Sequence, residues 1–379
     1  MMRWLLVSAI ALRACCRLCS AFRFRAAGAE GQPHLGGDFG DLVEALDLDH
    51  HPQTGVTRRA HTEWWTLDPP KDRKTGMDLP QCCMHDECWR PAETAFRVPS
   101  YVGPAPANFT WDPNQLKQAL TGKRVVLIGD SLTRQWSMTL ACYLTGAVPE
   151  NYWSKVGMQE VDDLLGNITQ LRSPPYLLPY VEDKGTFEMA RLRLEDVNAE
   201  IITYMRHNFW PHIAEGMLAM HARTKDQRAD LLIINQGVHF NSPSNGGLMS
   251  LGEDLVGYMD ICKSEGLHCI LRESSAQHFW YVDSEVQSGL YHPGKERQCI
   301  SGIYKEGQEF YYDSSAEWRR DELLHALERV GQPDSVMPLF EATMPLTFAH
   351  HRDDCTHYLQ DMEYWEPWHA GLFGLLENL

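Results

Sequence analysis

Ser131 stands where a predicted strand turns into a predicted helix, a position that suits a nucleophile. The β-branched and apolar run at 125–128 is typical of a buried strand, and a Gly-Asp-Ser sequence follows it. From Leu132 to Tyr143, apolar side chains recur at three- to four-residue steps, which indicates a helix packed on one side. Free N–H groups and the positive end of the helix dipole would favour an oxyanion formed beside Ser131. The alternative is an ordinary serine at a helix start.

Asp354 and His357 supply the other groups that nucleophilic catalysis by a serine requires. Three residues apart, both side chains can lie on one side of a turn, so that the carboxylate fixes the tautomer of the imidazole. The second ring nitrogen could then accept the proton of the Ser131 hydroxyl. The spacing alone is weak, because the chain holds 51 acidic residues and 17 histidines. Together with Ser131 it predicts a Ser-His-Asp triad, although no Gly-x-Ser-x-Gly elbow of the common α/β-hydrolases occurs in the sequence.

Three further groups are candidates for contacts with the substrate or the oxyanion. The backbone N–H of Ser131, at the helix start, could donate to a developing oxyanion. Arg134 could bind a carboxylate or a glycan oxygen, but a helix-surface arginine paired with a nearby acid is an equal alternative. His239 could line the substrate cleft, or it could be an ordinary polar residue at the edge of the core.

The chain resembles the PC-esterase group from about Phe109 to its C-terminus. That group includes the plant trichome birefringence-like polysaccharide O-acetyltransferases and belongs to the SGNH (GDSL-type) hydrolase superfamily. The resemblance is carried by Gly129-Asp130-Ser131-Leu132-x-Arg134 and Asp354-Cys355-x-His357, and by blocks at 201–206, 231–240 and 271–279. At 237–239 and 357–360 the sequence departs from the motifs of the plant enzymes, which leaves the polymer substrate open.

The resemblance implies an α/β fold of the SGNH type, with three α/β/α layers around a short parallel sheet. It implies a catalytic domain at 111–379 with an insertion at about 146–199. The implied activity is O-acyl transfer, chiefly O-acetyl transfer, to a glycan or polysaccharide through an acyl-serine, with transferase favoured over esterase. Asn235 would join the Ser131 N–H in the oxyanion hole, or it could simply be a turn residue that ends a strand. No bound cofactor is implied; an acyl donor such as acetyl-CoA or another acetyl ester would be a co-substrate.

Alternating strand and helix patterns support a parallel sheet with helices on both faces. The sheet is predicted to begin at Val125, and a helix is predicted over 131–144. The other predicted strands are 200–205, 230–235, 268–272 and 336–340, and the other predicted helices are 248–265 and 316–330.

Composition and charge exclude some partners. The chain of 379 residues is 44% hydrophobic and 22% charged, which is ordinary for a globular protein. Its net charge of −17 argues against binding to nucleic acid or to an anionic membrane surface. Gly122-Lys123 precedes the first strand of the sheet, so it cannot form a phosphate-binding P-loop.

The N-terminus predicts entry into the secretory pathway, to the Golgi lumen or the cell exterior. Arg3 precedes an apolar run, Trp4 to Leu12, that is far shorter than the ~20 residues of a membrane span. We expect residues 1–29 to be a cleaved signal peptide, with a short Golgi-type anchor as the alternative. Contact with a membrane is expected only if that segment is retained.

The cysteines beyond this segment are even in number, as expected for disulfides in an oxidising compartment. Residues 30–110 predict a loop-rich minor lobe tied by disulfides. The resemblance favours a pair between Cys299 and Cys355, and Cys262 with Cys269 could close a helix-to-strand connection. A zinc knuckle is the less favoured interpretation of the cysteines near position 85. The eight candidates are Cys82, Cys83, Cys88, Cys142, Cys262, Cys269, Cys299 and Cys355.

A secreted carbohydrate or lipid esterase is an alternative with the same catalytic residues, and two rival functions of other classes remain open. A glycan-binding protein could keep the fold without catalysis, but the presence of all three triad residues disfavours it. A metal-dependent hydrolase could use a cluster formed by His350, His351, Asp353 and His357. A crowded polar loop is the favoured interpretation of that cluster, so no metal is expected.

Overall fold

The structure is a computed structural model, and all the residues it describes belong to one compact unit, Asp49–Leu379. The described residues are 58–59, 64–66, 100–157, 186–206, 211–240, 251–280, 291, 298–299, 311–312, 318–347, 349–350 and 354–379.

The described part of the chain contains thirteen strands and seven α-helices. The strands are β1 Arg58–Arg59, β2 Trp65–Thr66, β3 Ser100–Tyr101, β4 Arg124–Gly129, β5 Trp153–Gly157, β6 Thr186–Leu194, β7 Ala199–Met205, β8 Leu231–Ile234, β9 Cys269–Arg272, β10 Phe279–Trp280, β11 Gln298–Cys299, β12 Tyr311–Tyr312 and β13 Val336–Met337. The helices are α1 Pro113–Ala119, α2 Ser131–Thr145, α3 Pro211–Arg223, α4 Leu251–Glu265, α5 Trp318–Val330, α6 Phe340–Thr343 and α7 Glu366–Glu377.

A seven-stranded sheet in the order β13-β9-β8-β4-β7-β6-β5 forms the centre of the fold. Strand β4 lies between β7 and β8 and is parallel to both, with Val125 opposite Ile201 and Leu231. β9 and β13 continue the parallel part, whereas β6 and β5 are antiparallel. The sheet is therefore mostly parallel, and the predicted insertion supplies its antiparallel edge.

The order of the strands places a switch point at the carboxyl end of β4. From β4 the chain passes through α2 to the β7 side, whereas β8 leads through α4 to β9 on the other side. In open α/β sheets, ligands bind in the crevice outside the carboxyl ends of the strands at such a point. Ser131 begins α2 there, directly after β4.

Two apolar cores cover the two faces of the sheet, because neighbouring residues of a strand point to opposite faces. Val125 and Leu127 face a core that includes residues of α1, α2 and α7. Val126 and Ile128 face a second core, built with α3, α4 and α5. This arrangement is compatible with three α/β/α layers.

The helices before and after β4 in the chain, α1 and α2, each begin after an aspartate N-cap, and α2 ends at a glycine. Asp130 caps α2 by accepting a hydrogen bond from the Leu132 N–H at 3.0 Å. At the other end, Gly146 adopts φ 79°, the left-handed conformation that glycine allows most easily at a helix C-terminus. Asp112 caps α1 in the same manner as Asp130 caps α2.

Residues from the predicted minor lobe pack against the C-terminal segment. The indole of Trp65 donates to the Ala342 carbonyl at 3.0 Å, and the backbone N–H of Tyr101 donates to Glu366 at 2.6 Å. Most of the predicted lobe, and the predicted signal peptide, lie outside the described residues. The domain boundaries therefore stay predictions.

Several observed elements, among them β5, β6, α3 and α7, were not predicted from the sequence. Each predicted element is found within a few residues of its predicted bounds, with one exception, β13. That strand was predicted to reach 340 but ends at Met337, because Pro338 has no N–H to continue the ladder. Within the described residues no helix has the length and hydropathy needed to cross a bilayer.

Candidate active site

The end of β4 holds the start of α2 close to the neighbouring strand. A Cβ atom on Gly129 would lie 2.8 Å from the backbone oxygen of Asn235, so only glycine fits without a shift of the backbone. The backbone N–H of Asn235 donates to the Ile128 carbonyl at 2.8 Å. The residue after β8 is thereby fixed beside the turn that carries Ser131.

Ser131, His357 and Asp354 form one chain of hydrogen bonds. The Nε2 atom of His357 lies 2.7 Å from the Oγ of Ser131, and its Nδ1 atom lies 2.5 Å from the Oδ2 of Asp354. The carboxylate therefore holds the proton on Nδ1, which leaves Nε2 to accept the serine proton. The structure thus brings together the three residues that the sequence predicts as a triad, in the geometry that a serine nucleophile requires.

The Asp354 carboxylate also organises its own loop. Its Oδ1 atom accepts from the backbone N–H groups of Thr356 at 2.9 Å and His357 at 3.1 Å. Partial burial raises the pKa of Asp354, but the hydrogen bond and charge of His357 and the two backbone donors outweigh it, so the pKa is well below its usual range. Asp354 is therefore ionised at any pH near neutrality.

Side chains distant in sequence fix this loop from two directions. Gln277, which follows β9, donates to the Oγ1 of Thr356 at 2.8 Å and accepts from the buried Arg319 of α5 at 2.7 Å. Gln135, on α2, donates to the Tyr358 carbonyl at 3.0 Å and accepts from the Tyr358 N–H at 3.2 Å. Helix α2 therefore carries Ser131 and also holds the segment that carries His357.

A buried arginine contacts the first turns of α2, the helix that begins at Ser131. Arg272, the last residue of β9, is fully buried; its Nη2 donates to the Oγ1 of Thr133 at 2.9 Å. Its guanidinium also lies 5.5 Å from the centre of the Trp136 ring. Burial lowers the pKa of Arg272 to about 10, and the charge of Asp130 opposes that shift. The guanidinium remains charged at neutral pH and complements the acid that caps α2.

The backbone of Asn235 lies beside the turn that carries Ser131, and part of its side-chain amide is used for a contact with β9. Asn235 is buried, and its Nδ2 donates to the Arg272 carbonyl at 3.1 Å. An amide group has two N–H donors, so one remains for another acceptor. Its part in an oxyanion hole, with the Ser131 N–H, stays a prediction.

Arg134 and His239 are less clearly part of the site. The Nε of Arg134 lies 3.1 Å from the Oε2 of Glu188, and its guanidinium lies 5.5 Å from the Trp153 ring centre. The structure therefore shows the pairing with an acid that the sequence left as the alternative. His239 is half-buried, in the turn after β8, and its contact with a substrate stays a prediction.

The sequence did not single out Gln277, Arg319 and His350 as supports of the triad. Gln277 lies 79 positions before Thr356 and 42 before Arg319, so no local spacing indicates that they meet. His350 was weighed only as a metal ligand. The sole sequence signal was the resemblance of the block that contains Gln277.

The structure confirms one predicted disulfide, Cys262–Cys269, which joins α4 to β9. Cys142 and Cys355 are also disulfide-bonded. The side chain of Cys299 lies outside the described residues, so its pairing with Cys355 stays a prediction. The same holds for Cys82, Cys83 and Cys88.

The structure can be searched for a metal site only among the residues that it describes. Among these, no group of three or more His, Cys, Asp or Glu side chains is placed to hold a metal ion. His351 and Asp353, two residues of the disfavoured metal cluster, lie outside the described residues. The Nδ1 of His350 contacts the carbonyl of His357.

Comparison with known proteins adds no relative. No protein-family model matches the chain. No curated protein matches its sequence either.

Proposed function

We propose that this protein is a serine-dependent O-acyltransferase or esterase that acts on glycans in the secretory pathway. The observation that carries the proposal is the hydrogen-bonded chain from Ser131 through His357 to Asp354 at the switch point of the sheet. A serine, an imidazole and a carboxylate in this order perform acyl transfer on unrelated folds. The resemblance to the PC-esterase group supports a glycan as the acceptor.

The reaction would proceed by double displacement. His357 takes the proton of Ser131 while the Oγ attacks the carbonyl carbon of an acyl donor, and the donor's alcohol or thiol leaves with a proton from His357. A sugar hydroxyl or a water molecule then gives its proton to His357 and attacks the acyl carbon. The ester bond to Ser131 breaks, and the Oγ of Ser131 regains a proton from His357. Asp354 stays ionised throughout and stabilises the imidazolium that forms in each half-reaction.

Both oxyanion donors would act at the same place. The Ser131 N–H lies at the start of α2, where the helix dipole favours negative charge. Asn235, fixed beside Gly129, would be the second donor. Removing one donor from such a site costs a factor of about 10² to 10³ in rate.

Ester hydrolysis is a second candidate, favoured by the exposure of the triad. The side chains of His357 and Asp354 are 30% and 39% exposed, so water has access to the general base. A transferase needs an acceptor that orders itself over this opening and displaces that water. The fate of the acyl-enzyme separates the two activities.

Mass spectrometry of the intact protein after incubation with an activated acetyl ester tests the proposal. The expected result is one acetyl adduct, located at Ser131 by peptide mapping. Ser131→Ala should abolish it, and Ser264→Ala, at an exposed serine on α4, should not. Absence of any adduct, together with retained glycan binding by Ser131→Ala, would favour the non-catalytic alternative.

The same acyl-enzyme separates transferase from esterase. Its decay is followed with and without a panel of oligosaccharides. An acetylated oligosaccharide in the products indicates a transferase. Free acetate at an unchanged rate of decay indicates an esterase.

A further inference from the structure

Two histidines outside the triad contact each other and the backbone of the predicted general base. The Nδ1 of His278 lies 2.5 Å from the Nε2 of His350. The Nε2 of His278 lies 2.9 Å from the Met344 carbonyl, and the Nδ1 of His350 lies 2.9 Å from the His357 carbonyl. All four ring nitrogens therefore have a described contact.

The number of protons on the two rings follows from these contacts. A carbonyl oxygen can only accept, so His278 Nε2 and His350 Nδ1 must each carry a proton. The nitrogen-to-nitrogen contact needs one proton more. The two rings then hold three N–H groups, whereas two neutral imidazoles have only two, so one ring is an imidazolium.

Burial assigns the charge to His350. His278 is fully buried, and burial, followed by the charge of His350, holds the pKa of His278 well below its usual range. His350 is half-buried and reaches solvent. A charge costs less where water can still reach it, so His278 is the neutral acceptor.

Among the described residues, the titratable groups that contact or adjoin the pair belong to the loop at 354–358. The ring of Tyr358 lies 4.6 Å from that of His350, and its hydroxyl donates to the Ala276 carbonyl. Asp354 and His357 belong to the same loop. The described hydrogen bond between the pair and the segment at 340–347 joins His278 Nε2 to the Met344 carbonyl.

We propose that His350, held as an imidazolium by His278, is a positioning residue that fixes His357 through its backbone carbonyl. The proposal rests on the proposed function, since it assigns a support to the same general base. The backbone N–H of His278 also donates to the Cys355 carbonyl at 2.9 Å. The segment after β9 thus holds the loop at Cys355, and the histidine pair holds it two residues later.

Loss of the extra proton should loosen this support. When His350 becomes neutral, two nitrogen lone pairs face each other and the contact turns repulsive. His357 then loses its fixed position relative to Ser131, and a displacement of about 1 Å can cost a factor of about 10² in rate. The reactivity of Ser131 should therefore fall at alkaline pH, by up to a factor of about 10².

His278→Asn separates this proposal from a merely structural role. An amide in place of the buried ring can donate to a neutral His350, so the extra proton is no longer needed. We expect the rate of Ser131 labelling by a fluorophosphonate to fall at alkaline pH in the wild-type protein and to stay level in His278→Asn. His221→Asn, at a buried histidine bonded to Tyr204 and the Gln227 carbonyl, is the matched control and should keep the alkaline fall.

A second measurement does not depend on activity. Nitrogen NMR of ¹⁵N-histidine protein, assigned with His350→Gln, should show His350 as an imidazolium above the usual histidine pKa of about 6.5, and as a neutral ring in His278→Asn. A neutral His350 in the wild-type protein, or an alkaline fall unchanged in His278→Asn, would overturn the proposal. If Ser131 resists labelling at every pH, the proposed function fails, and the NMR result alone decides the state of the pair.

Discussion

Replacing Asp354 by Asn should slow the acylation of Ser131 by about 10⁴-fold while leaving the fold intact. The carboxylate uses Oδ1 for two backbone N–H groups of its loop and Oδ2 for the Nδ1 of His357. An asparagine that keeps its oxygen at the Oδ1 position must turn its NH₂ group toward Nδ1. The ring proton then moves to Nε2, the atom that faces Ser131 at 2.7 Å, and His357 can no longer accept the serine proton. A factor of 10⁴ corresponds to about 5 kcal/mol in the activation free energy.

The assay is the rate of Ser131 labelling by a fluorophosphonate, read by intact mass. Asp321→Asn, at an exposed carboxylate on α5, is the matched control and should label at the wild-type rate. Circular dichroism and thermal unfolding would establish that both variants fold. Labelling of a folded Asp354→Asn within about tenfold of the wild-type rate would refute the assigned role of Asp354.

Four further measurements test the energetics. The pKa of Asp354 is lowered in the folded state, so the stability lost in Asp354→Asn, measured by urea unfolding, should be full above about pH 4 and should shrink as pH falls further. Asp254 is buried, with no hydrogen-bond partner among the described residues, and burial raises its pKa to about 7. Asp254→Asn should therefore gain stability over the wild type as pH rises from 4 to 7, by up to about 4 kcal/mol; a constant difference across that range would contradict this. Replacing Cys262 and Cys269 together by Ala should lower the free energy of unfolding by about 2.5 kcal/mol, the loop-closure value, and an unchanged urea midpoint would argue against the bond. Gln277→Leu removes two side-chain hydrogen bonds, one of them to a buried charge, and should cost about 2 kcal/mol in urea unfolding and slow phosphonate labelling; wild-type values in both assays would remove its supporting role.

Local signals predicted the central elements well. The parallel strands β4, β7, β8 and β9 are rich in apolar residues, because helices cover both of their faces. Strand β6 was not predicted from the sequence, because it lies in the antiparallel edge and mixes charged with apolar residues. It pairs with β7 across the short connection 195–198, a hairpin that the sequence analysis did not identify.

The triad was predicted only in part by spacing. Asp354 and His357 are three residues apart, so a local turn suffices to join them. Their distance from Ser131 along the chain is more than two hundred positions, and the resemblance to a known family supported that pairing. For Arg134, neither spacing nor the resemblance predicted the partner, because Glu188, which faces it, lies in β6.

The sequence by itself determined which reactive groups are present: a serine at a strand-to-helix turn, and an acid and an imidazole in one short loop. It also determined the alternation of strands and helices. These depend on residue types and short spacings, which act through local backbone geometry. Only the tertiary structure decided which of these groups meet and in which protonation state. The contact of Ser131 with His357 and the contact of His278 with His350 depend on how separate segments pack, and packing is a property of the whole chain.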